Sequence, residues 1–176
     1  MKKLFPSVLL CFLLIQVSAQ VQRKVSVYLF AQYNNTIYDV TTGNNPWGIG
    51  PGLQAFFNNK TKFKPTIEFT SDTYLEDDKV LGLTTNGKPM QDLGSMVNFF
   101  VGSSYHPAQT IHFSLTAGPS FINGSTYFGI KPSFGFHFSN NQRWAGKLSF
   151  INIFNRGELT KKDFGSISFA IGLKLF

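Results

Sequence analysis

Cysteine is absent from residues 20–176, because the one cysteine of the 176-residue sequence is Cys11. The same stretch holds no apolar run approaching the roughly 18 residues that a membrane-spanning helix needs, and helical periodicity is nearly absent from it. These absences exclude a disulfide scaffold, a cysteine-ligated metal site and a helical membrane protein. If residues 20–176 lie in a membrane, they must cross it as a closed β-barrel.

The N-terminal segment has the form of a secretory signal peptide. Two lysines precede an apolar run at 8–15, and Ala19 supplies a small residue before a predicted cleavage site at Gln20. Residues 1–19 are therefore predicted to be a signal peptide, and residues 20–176 one mature domain. Cleavage would remove the two lysines and lower the formal net charge from +7 to +5.

Apolar and polar residues alternate with a period of two along the mature chain, which predicts an all-β domain. Strands in soluble sheets usually have five or six residues, with a rise of about 3.3 Å per residue. The predicted strands are longer, and they match the roughly nine to eleven tilted residues that cross a bilayer. Eight antiparallel strands are predicted, at 24–34, 47–57, 62–72, 94–105, 110–121, 126–138, 143–154 and 165–176.

The segment 127–138, YFGIKPSFGFHF, shows what the alternation implies. Its Phe, Ile and Pro residues fall on one face, and its Gly, Ser, Lys and His residues fall on the other. An eight-stranded barrel encloses space only for side chains or one small ligand, so the apolar faces of all strands would overfill it. The apolar face is therefore predicted to meet lipid, with Lys131 and His137 inside. A soluble lipocalin-like ligand carrier is the alternative at the level of the fold.

The connections between the predicted strands alternate in length. The short ones, 58–61, 106–109 and 139–142, are tight turns of turn-forming residues. The long ones, 35–46, 73–93 and 155–164, fall at the other end, where only 122–125 is short. Basic residues cluster at the short-turn end and also occur inside the barrel. Because they do not form one patch, nucleic-acid binding is not predicted.

The signal peptide, the eight alternating strands, the short even-numbered turns and the terminal Phe176 together resemble the small outer-membrane β-barrel family of Gram-negative envelopes. The resemblance covers the whole mature chain. It implies an up-and-down transmembrane barrel in the outer membrane, monomeric, with periplasmic termini and long extracellular loops. It also implies contact with membrane lipid and lipopolysaccharide, and recognition of Phe176 by the barrel-assembly machinery. Lys174, Gly172 and Ala170 depart from the family's apolar residues at alternate positions before the terminal aromatic.

Proline is the residue that fits this architecture least well. A closed barrel has no free edge, and each in-strand proline removes one donor from the hydrogen-bond ladder. Bulges or local kinks are the expected accommodation. The prolines concerned are Pro51, Pro65, Pro119 and Pro132.

The sequence contains no nucleotide-binding loop, no metal-spaced His cluster and no nucleophile elbow, so no cofactor is predicted. Some family members similar in size modify lipid A, using a His with Ser or carboxylate partners. The candidates here are His106, His112 and His137. His106 is predicted to lie in a turn, and His112 and His137 are predicted to face inward near the periplasmic end. The family enzymes place their catalytic groups near the outer leaflet, so the protein is predicted not to be an enzyme.

Three charged residues fall on the inward register near the middle of their strands: Glu68, Lys131 and Lys147. Because a buried charge is tolerated only when it is paired and hydrogen-bonded, these residues are predicted to form one network across the barrel. Gln32, Gln54 and Asn98 are predicted to surround it. A polar plug is favoured over a proton or ion path, since eight strands leave no continuous aqueous pore.

The function predicted from the sequence is an envelope structural role or a surface interaction through the extracellular loops. Loop residues expected to contact a partner or a sugar are Tyr38, Trp47, Tyr74, Leu75, Leu81 and Leu83. A narrow conduit for small solutes or protons and a lipid A-modifying enzyme are the alternatives within the same fold. The sequence names no extracellular ligand.

Overall fold

The computed structural model describes residues 24–38, 47–75, 95–122, 124–138, 141–154 and 163–176. The predicted signal peptide with its cleavage site at Ala19 and Gln20, and most of the three long loops, lie outside these residues. No helix in the described part of the chain is long and apolar enough to cross a membrane.

The described residues form one closed antiparallel barrel of eight strands, in which each strand pairs with its sequence neighbours and β8 pairs with β1. The predicted up-and-down fold is confirmed. β1 and β3 continue four and three residues beyond their predicted ends, because the alternation of inward and outward side chains continues there. The strands are β1 (Val25–Tyr38), β2 (Trp47–Phe57), β3 (Phe63–Leu75), β4 (Ser95–Tyr105), β5 (Ile111–Ile122), β6 (Ser125–His137), β7 (Trp144–Phe154) and β8 (Phe164–Lys174).

The burial of side chains is inverted relative to a soluble protein. Large apolar residues such as Leu115 and Phe128 stand on the outer wall, 62% and 57% exposed. Polar and charged residues, among them Gln54, Glu68 and Lys147, are buried inside. The predicted orientation is confirmed: the apolar face is outside. Such an outer wall is stable against hydrocarbon and not against water, so the domain is a transmembrane barrel.

Aromatic side chains stand on the outer wall near both ends of the barrel. Tyr33 stacks on Trp47 toward the long-loop end, with ring centroids 5.9 Å apart. Phe63 lies 4.8 Å from Tyr105 at the short-turn end, where Trp144 is also exposed. Aromatic girdles at these two heights are typical of barrels whose ends lie in the lipid headgroup regions.

Pro51 shows how a closed barrel accommodates a residue without a backbone N–H. On one side it pairs with Ala31 of β1. On the other side the β2–β3 ladder has no pair for residues 50 and 51, and it resumes in the same register at Gly52. No residue is inserted, so the expected bulge is wrong at this position. The missing donor produces a short gap in one ladder and leaves the register unchanged.

The same arrangement recurs at Pro119 and Pro132. They pair with β6 and β5, and they interrupt the ladders to β4 and β7 without a register shift. Pro65 pairs with β4 and lies just beyond the last β2–β3 pair. Glycine precedes two of these prolines: a Cβ on Gly50 or Gly118 would lie 2.1 or 2.3 Å from a carbonyl oxygen of the facing strand. The facing carbonyl group lacks a hydrogen-bond donor because proline has no backbone N–H. The preceding glycine has no Cβ, so it leaves room for that carbonyl group.

Glycine also makes room for rings inside the narrow lumen. A Cβ on Gly172 would lie 2.4 Å from the ring of Phe30, and a Cβ on Gly135 would lie 2.1 Å from the ring of His112. Each of these glycines is paired across the ladder with the residue whose ring covers it. The inward-facing glycines thus leave the space that the larger inward side chains occupy.

Replacing Gly135 by Ala is expected to destabilise the barrel by about 1–3 kcal/mol, the range for overpacking a well-filled interior. The added methyl group would overlap the His112 ring, which is buried and packed against the rings of Phe56, His106 and His137. The measurement is the urea midpoint of the barrel in detergent, followed by gel migration of unheated samples. Gly52→Ala is the matched control, because its nearest contact is a Thr70 methyl at 3.3 Å. Equal midpoints for the two variants would contradict this packing argument.

Candidate functional site in the barrel lumen

The centre of the lumen is an ion cluster in which one carboxylate receives two ammonium groups. Glu68 Oε1 accepts hydrogen bonds from Lys131 Nζ at 2.7 Å and from Lys147 Nζ at 2.8 Å. Lys147 Nζ also donates to Gln54 Oε1 at 3.3 Å and lies 4.5 Å from the centroid of the Phe30 ring. The structure therefore brings together Glu68, both lysines and Gln54.

The strand order explains why this cluster crosses the lumen. Lys131 and Lys147 lie on the adjacent strands β6 and β7, and Glu68 lies on β3 on the other side of the closed barrel. An eight-stranded barrel is narrow enough for such long side chains to meet at its axis. All three residues are no more than 2% exposed. Since each charge would be costly to bury alone, the three stabilise one another.

A second polar cluster surrounds Asp72, which is 2% exposed. Gln32 and Asn34 donate side-chain hydrogen bonds to Asp72 Oδ1, the latter at 2.7 Å. Asn98 donates to Thr70 Oγ1 at 3.0 Å and approaches Asp72 Oδ2 at 3.5 Å. Of the three amides predicted around the Glu68 network, Gln54 hydrogen-bonds to Lys147, whereas Gln32 and Asn98 make their side-chain contacts with Asp72 and Thr70.

Sequence reasoning missed Asp72 because it stood at the predicted end of β3, next to an acidic loop. The signal that identifies it is the inward register of β3, in which Thr66, Glu68, Thr70 and Asp72 follow one another at alternate positions. With Asp72 included, the described lumen carries two buried carboxylates and two buried ammonium groups, so its central charges balance.

Three histidines pack together at the short-turn end of the lumen. The His112 ring lies 5.1 Å from His106 and 5.6 Å from His137, and Phe56 and Tyr28 pack against the group. The predicted inward orientation of His112 and His137 is confirmed. Neither ring nitrogen of His112 has a hydrogen-bond partner among the described residues. In that part of the chain no group of three or more His, Cys, Asp or Glu side chains is placed to hold a metal ion.

The long-loop end of the lumen is filled by apolar side chains. This group includes Tyr74, whose ring lies 5.6 Å from that of Phe164 in an edge-to-face contact. The prediction that Tyr74 is a loop residue facing a partner is wrong: it lies in β3, 3% exposed, on the inward register. The other members are Met96, Phe100, Ile122, Ile151 and Ile153.

Of the other residues predicted to lie in loops, some lie in strands and the rest lie outside the described residues. Trp47 begins β2 and is exposed on the outer wall. Tyr38 and Leu75 end β1 and β3, whereas Leu81 and Leu83 lie outside the described residues. Phe176 closes the seam of the barrel, where its carbonyl oxygen accepts a hydrogen bond from the Val27 backbone at 2.9 Å.

The fold and the lumen define a small transmembrane β-barrel of the outer-membrane type, with an apolar outer wall and a filled polar interior. No protein-family model and no curated protein sequence matches the chain. Solved structures do match it in fold. The attachment invasion locus protein Ail of Yersinia pestis has a TM-score of 0.55 at 10% identity, and the match covers 86% of this chain and 97% of Ail.

Two further matches have the same character. Neisserial surface protein A has a TM-score of 0.54 at 11% identity, with 86% of this chain and 96% of that protein covered. A de novo designed transmembrane β-barrel has a TM-score of 0.54 at 10% identity, with 88% of this chain and 98% of the design covered. The chain thus has the fold of the small eight-stranded outer-membrane barrels, as its strand pattern predicted. At this identity the likeness concerns the fold alone.

Replacing Glu68 by Gln is expected to lower the free energy of unfolding by about 3–5 kcal/mol, because it leaves two buried ammonium groups without their shared carboxylate. Adding Lys131→Met to this variant removes one of the unpaired charges and is expected to recover part of the loss. The readout is urea unfolding of the barrel in detergent. Lys60→Gln, in an exposed turn, is the control for a change of one charge. A Glu68→Gln midpoint equal to that of the unchanged protein would contradict the network.

A second prediction concerns His106, in the turn between β4 and β5. Burial, followed by the positive charges of Lys64 and His137, lowers the pKa of His106 to about 4. The unfolded chain then binds a proton near pH 6.5 that the folded barrel does not, so this residue stabilises the fold above about pH 6.5 and the contribution is lost as the pH falls toward 4. His106→Phe is expected to flatten the dependence of the urea midpoint on pH in this window.

The control for that measurement is Gln109→Ala, in the same turn, which changes no titratable group. His112 and His137 remain in the His106→Phe variant, so the dependence on pH is expected to shrink without disappearing. An unchanged slope between pH 4 and 6.5 would show that His106 is as easily protonated in the folded barrel as in the unfolded chain.

Proposed function

We propose that this protein is a monomeric integral outer-membrane barrel of a Gram-negative bacterium, with an envelope structural or surface-interaction role at its long-loop end and no catalytic activity. One observation carries the proposal: the charges at the centre of the lumen are almost inaccessible, with Glu68 and Lys147 each 1% exposed. An aqueous channel would leave the side chains that line it in contact with water. The functional surface is therefore proposed to lie outside the lumen.

The contents of the lumen support a plug in preference to a conduit. The Glu68 and Asp72 clusters occupy its middle, an apolar group containing Phe100 lies toward the long loops, and the histidine group lies toward the short turns. A proton path would need a chain of exchangeable groups from end to end. The buried apolar side chains of Met96, Phe100 and Ile153 provide none.

The proposed orientation places the termini and the short turns in the periplasm and the long loops outside the cell. In the described part of the chain, both ends of the barrel sequence and the turns at 58–62 and 106–110 lie on one side. That side carries the exposed basic residues Lys24, Lys60, Lys62 and Arg143. Partners implied by this placement are phospholipid on the periplasmic side, lipopolysaccharide on the outer side, and the assembly machinery that reads Phe176.

Cell fractionation tests the placement directly. The protein is expected in the outer-membrane fraction, with a gel mobility that changes on heating because the closed barrel resists detergent until it is boiled. An epitope inserted in the loop at 76–94 is expected to be accessible on intact cells, and one inserted at 58–61 only after the outer membrane is opened. Recovery as a soluble periplasmic protein would favour a ligand carrier and overturn the proposal.

The two competing functions have separate readouts. The purified barrel in planar lipid bilayers is expected to give no stepwise conductance, since Glu68, Lys131 and Lys147 are each no more than 2% exposed. Deletion and overexpression are expected to leave the mass of lipid A unchanged. Conductance that responds to Glu68→Gln would identify a conduit, and a lipid A mass shift abolished by His112→Gln would identify an enzyme.

A further inference from the structure

Four basic residues surround the mouth of the lumen at its short-turn end. Lys64 and Lys174 lie on the inward register of β3 and β8, and both are partly buried. Lys24 and Arg143 immediately precede β1 and β7, continue the inward register of those strands, and are exposed. Because β3 and β7 lie on opposite sides of the closed barrel, positive charge surrounds the mouth and is not confined to one side of it.

Hydrogen bonds hold these four residues in two pairs. Asn58 joins the first pair: its backbone N–H donates to the Lys24 carbonyl oxygen at 2.7 Å, and its Oδ1 accepts a hydrogen bond from Lys64 Nζ at 3.1 Å. In the second pair, the Lys174 backbone N–H donates to the Arg143 carbonyl oxygen at 2.8 Å. The positions of the four cations relative to one another are therefore fixed by the ends of the strands.

Both pairs face the same group of rings. Lys174 Nζ lies 5.9 Å from the centroid of the Tyr28 ring, and that ring lies 5.5 Å from the ring of His137. The charges of Lys64 and Lys174 both act on His137. Tyr28 is buried, and Phe56 packs against it edge to face. The mouth therefore has basic walls and a closed aromatic floor.

Negative charge is scarce at this end of the barrel. The acidic side chains of the described residues lie elsewhere: Glu68 and Asp72 are buried in the lumen, and Asp163 precedes β8 at the long-loop end. The carboxylate of Phe176, the last residue of the sequence, lies at the mouth beside Val27 and offsets one positive charge. With four cations and one carboxylate, the described part of the mouth keeps an excess of three positive charges.

We propose that the short-turn mouth of the lumen binds a phosphate group on the barrel axis, between Lys64 on one side and Lys174 and Arg143 on the other. A phosphate monoester carries roughly −1.5 to −2 charge near neutral pH on one tetrahedral group. Cations on opposite strands can therefore each meet a different oxygen. A carboxylate is planar and carries one charge. The site goes beyond the proposed envelope role, since it assigns a ligand to the end opposite the long loops.

The register of the four residues distinguishes two sources of phosphate. Inward side chains point toward the barrel axis, whereas phospholipid headgroups surround the outer wall. A soluble phosphate compound can reach the axis directly, but a headgroup would have to fold over the ends of the strands. A soluble compound is therefore the favoured source, and the lipid headgroup is the alternative that the experiment separates.

The barrel, purified in an uncharged detergent, is titrated calorimetrically with inorganic phosphate at an ionic strength held constant with chloride. Saturable binding is expected, and acetate is expected to give none. Lys64→Gln and Lys174→Gln are each expected to weaken phosphate binding at least about tenfold, the scale of one charge-assisted hydrogen bond. Lys174→Arg keeps the charge and is expected to retain binding. Lys60→Gln, which removes one charge from an exposed turn, is the matched control and is expected to preserve it.

Two further ligands separate the sources. Glycerol phosphate represents a soluble monoester, and dibutyroyl phosphatidylglycerol presents the phosphate of a lipid headgroup in soluble form. Tighter binding of glycerol phosphate is expected and would support a soluble compound. Tighter binding of the lipid analogue would support the phosphate site and identify a headgroup as its source.

Gel mobility of unheated samples establishes that every variant is a closed barrel before its binding is measured. Equal binding of acetate and phosphate, or phosphate binding that is unchanged in both Lys64→Gln and Lys174→Gln, would overturn the proposal. A closed barrel that binds no phosphate would overturn it as well and would leave the proposed membrane placement unaffected, which separates the two failures.

Discussion

Everything in this barrel depends on the closure of its backbone hydrogen-bond ladder. Hydrocarbon offers no partner to an N–H or C=O group, so the first strand must pair with the last. β8 pairs with β1 over most of its length, and the Phe176 carbonyl extends the seam. Prolines in this sheet are placed so that each keeps one complete ladder. The two Gly-Pro steps, at Gly50 and Gly118, also let the facing carbonyl group approach.

Closure with eight strands fixes the lumen at a width that side chains can span. Glu68 on β3 therefore reaches Lys131 and Lys147 on the far wall, and rings such as Phe30 fold over glycines paired with them. The same width explains the sorting of the interior along its axis. Charges that cannot reach water are gathered at the centre and balanced in number, and rings and aliphatic groups close the two ends.

The sequence alone was sufficient to predict the fold and the charged residues at the centre of the lumen. Both follow from the alternation of apolar and polar residues with a period of two, which is present within each strand separately. Register alone places Glu68, Lys131 and Lys147 inside. Register does not predict which polar side chains contact one another, because these contacts depend on how the strands are staggered around the barrel. Gln32 and Asn98 meet Asp72 for this reason. Tyr74 was predicted to lie in a loop because the predicted end of β3 came three residues too early. The gaps in the ladders at the prolines could not be predicted, because they depend on how both neighbouring strands pair with the proline-containing strand.

The fold by itself does not select a role, because its likeness includes a designed transmembrane barrel as well as two natural surface proteins. The proposed role is therefore assigned to a surface that stability does not require. The lumen fails this criterion: its buried charges have to be paired if the barrel is to fold at all. The long-loop end and the outer wall are not bound by this requirement. On the outer wall, Pro51 does not indicate a ligand by itself, because Pro119 and Pro132 interrupt their ladders in the same way. The pairing of charges in the lumen is thus a condition of stability, and the surface role proposed for the long-loop end is independent of it.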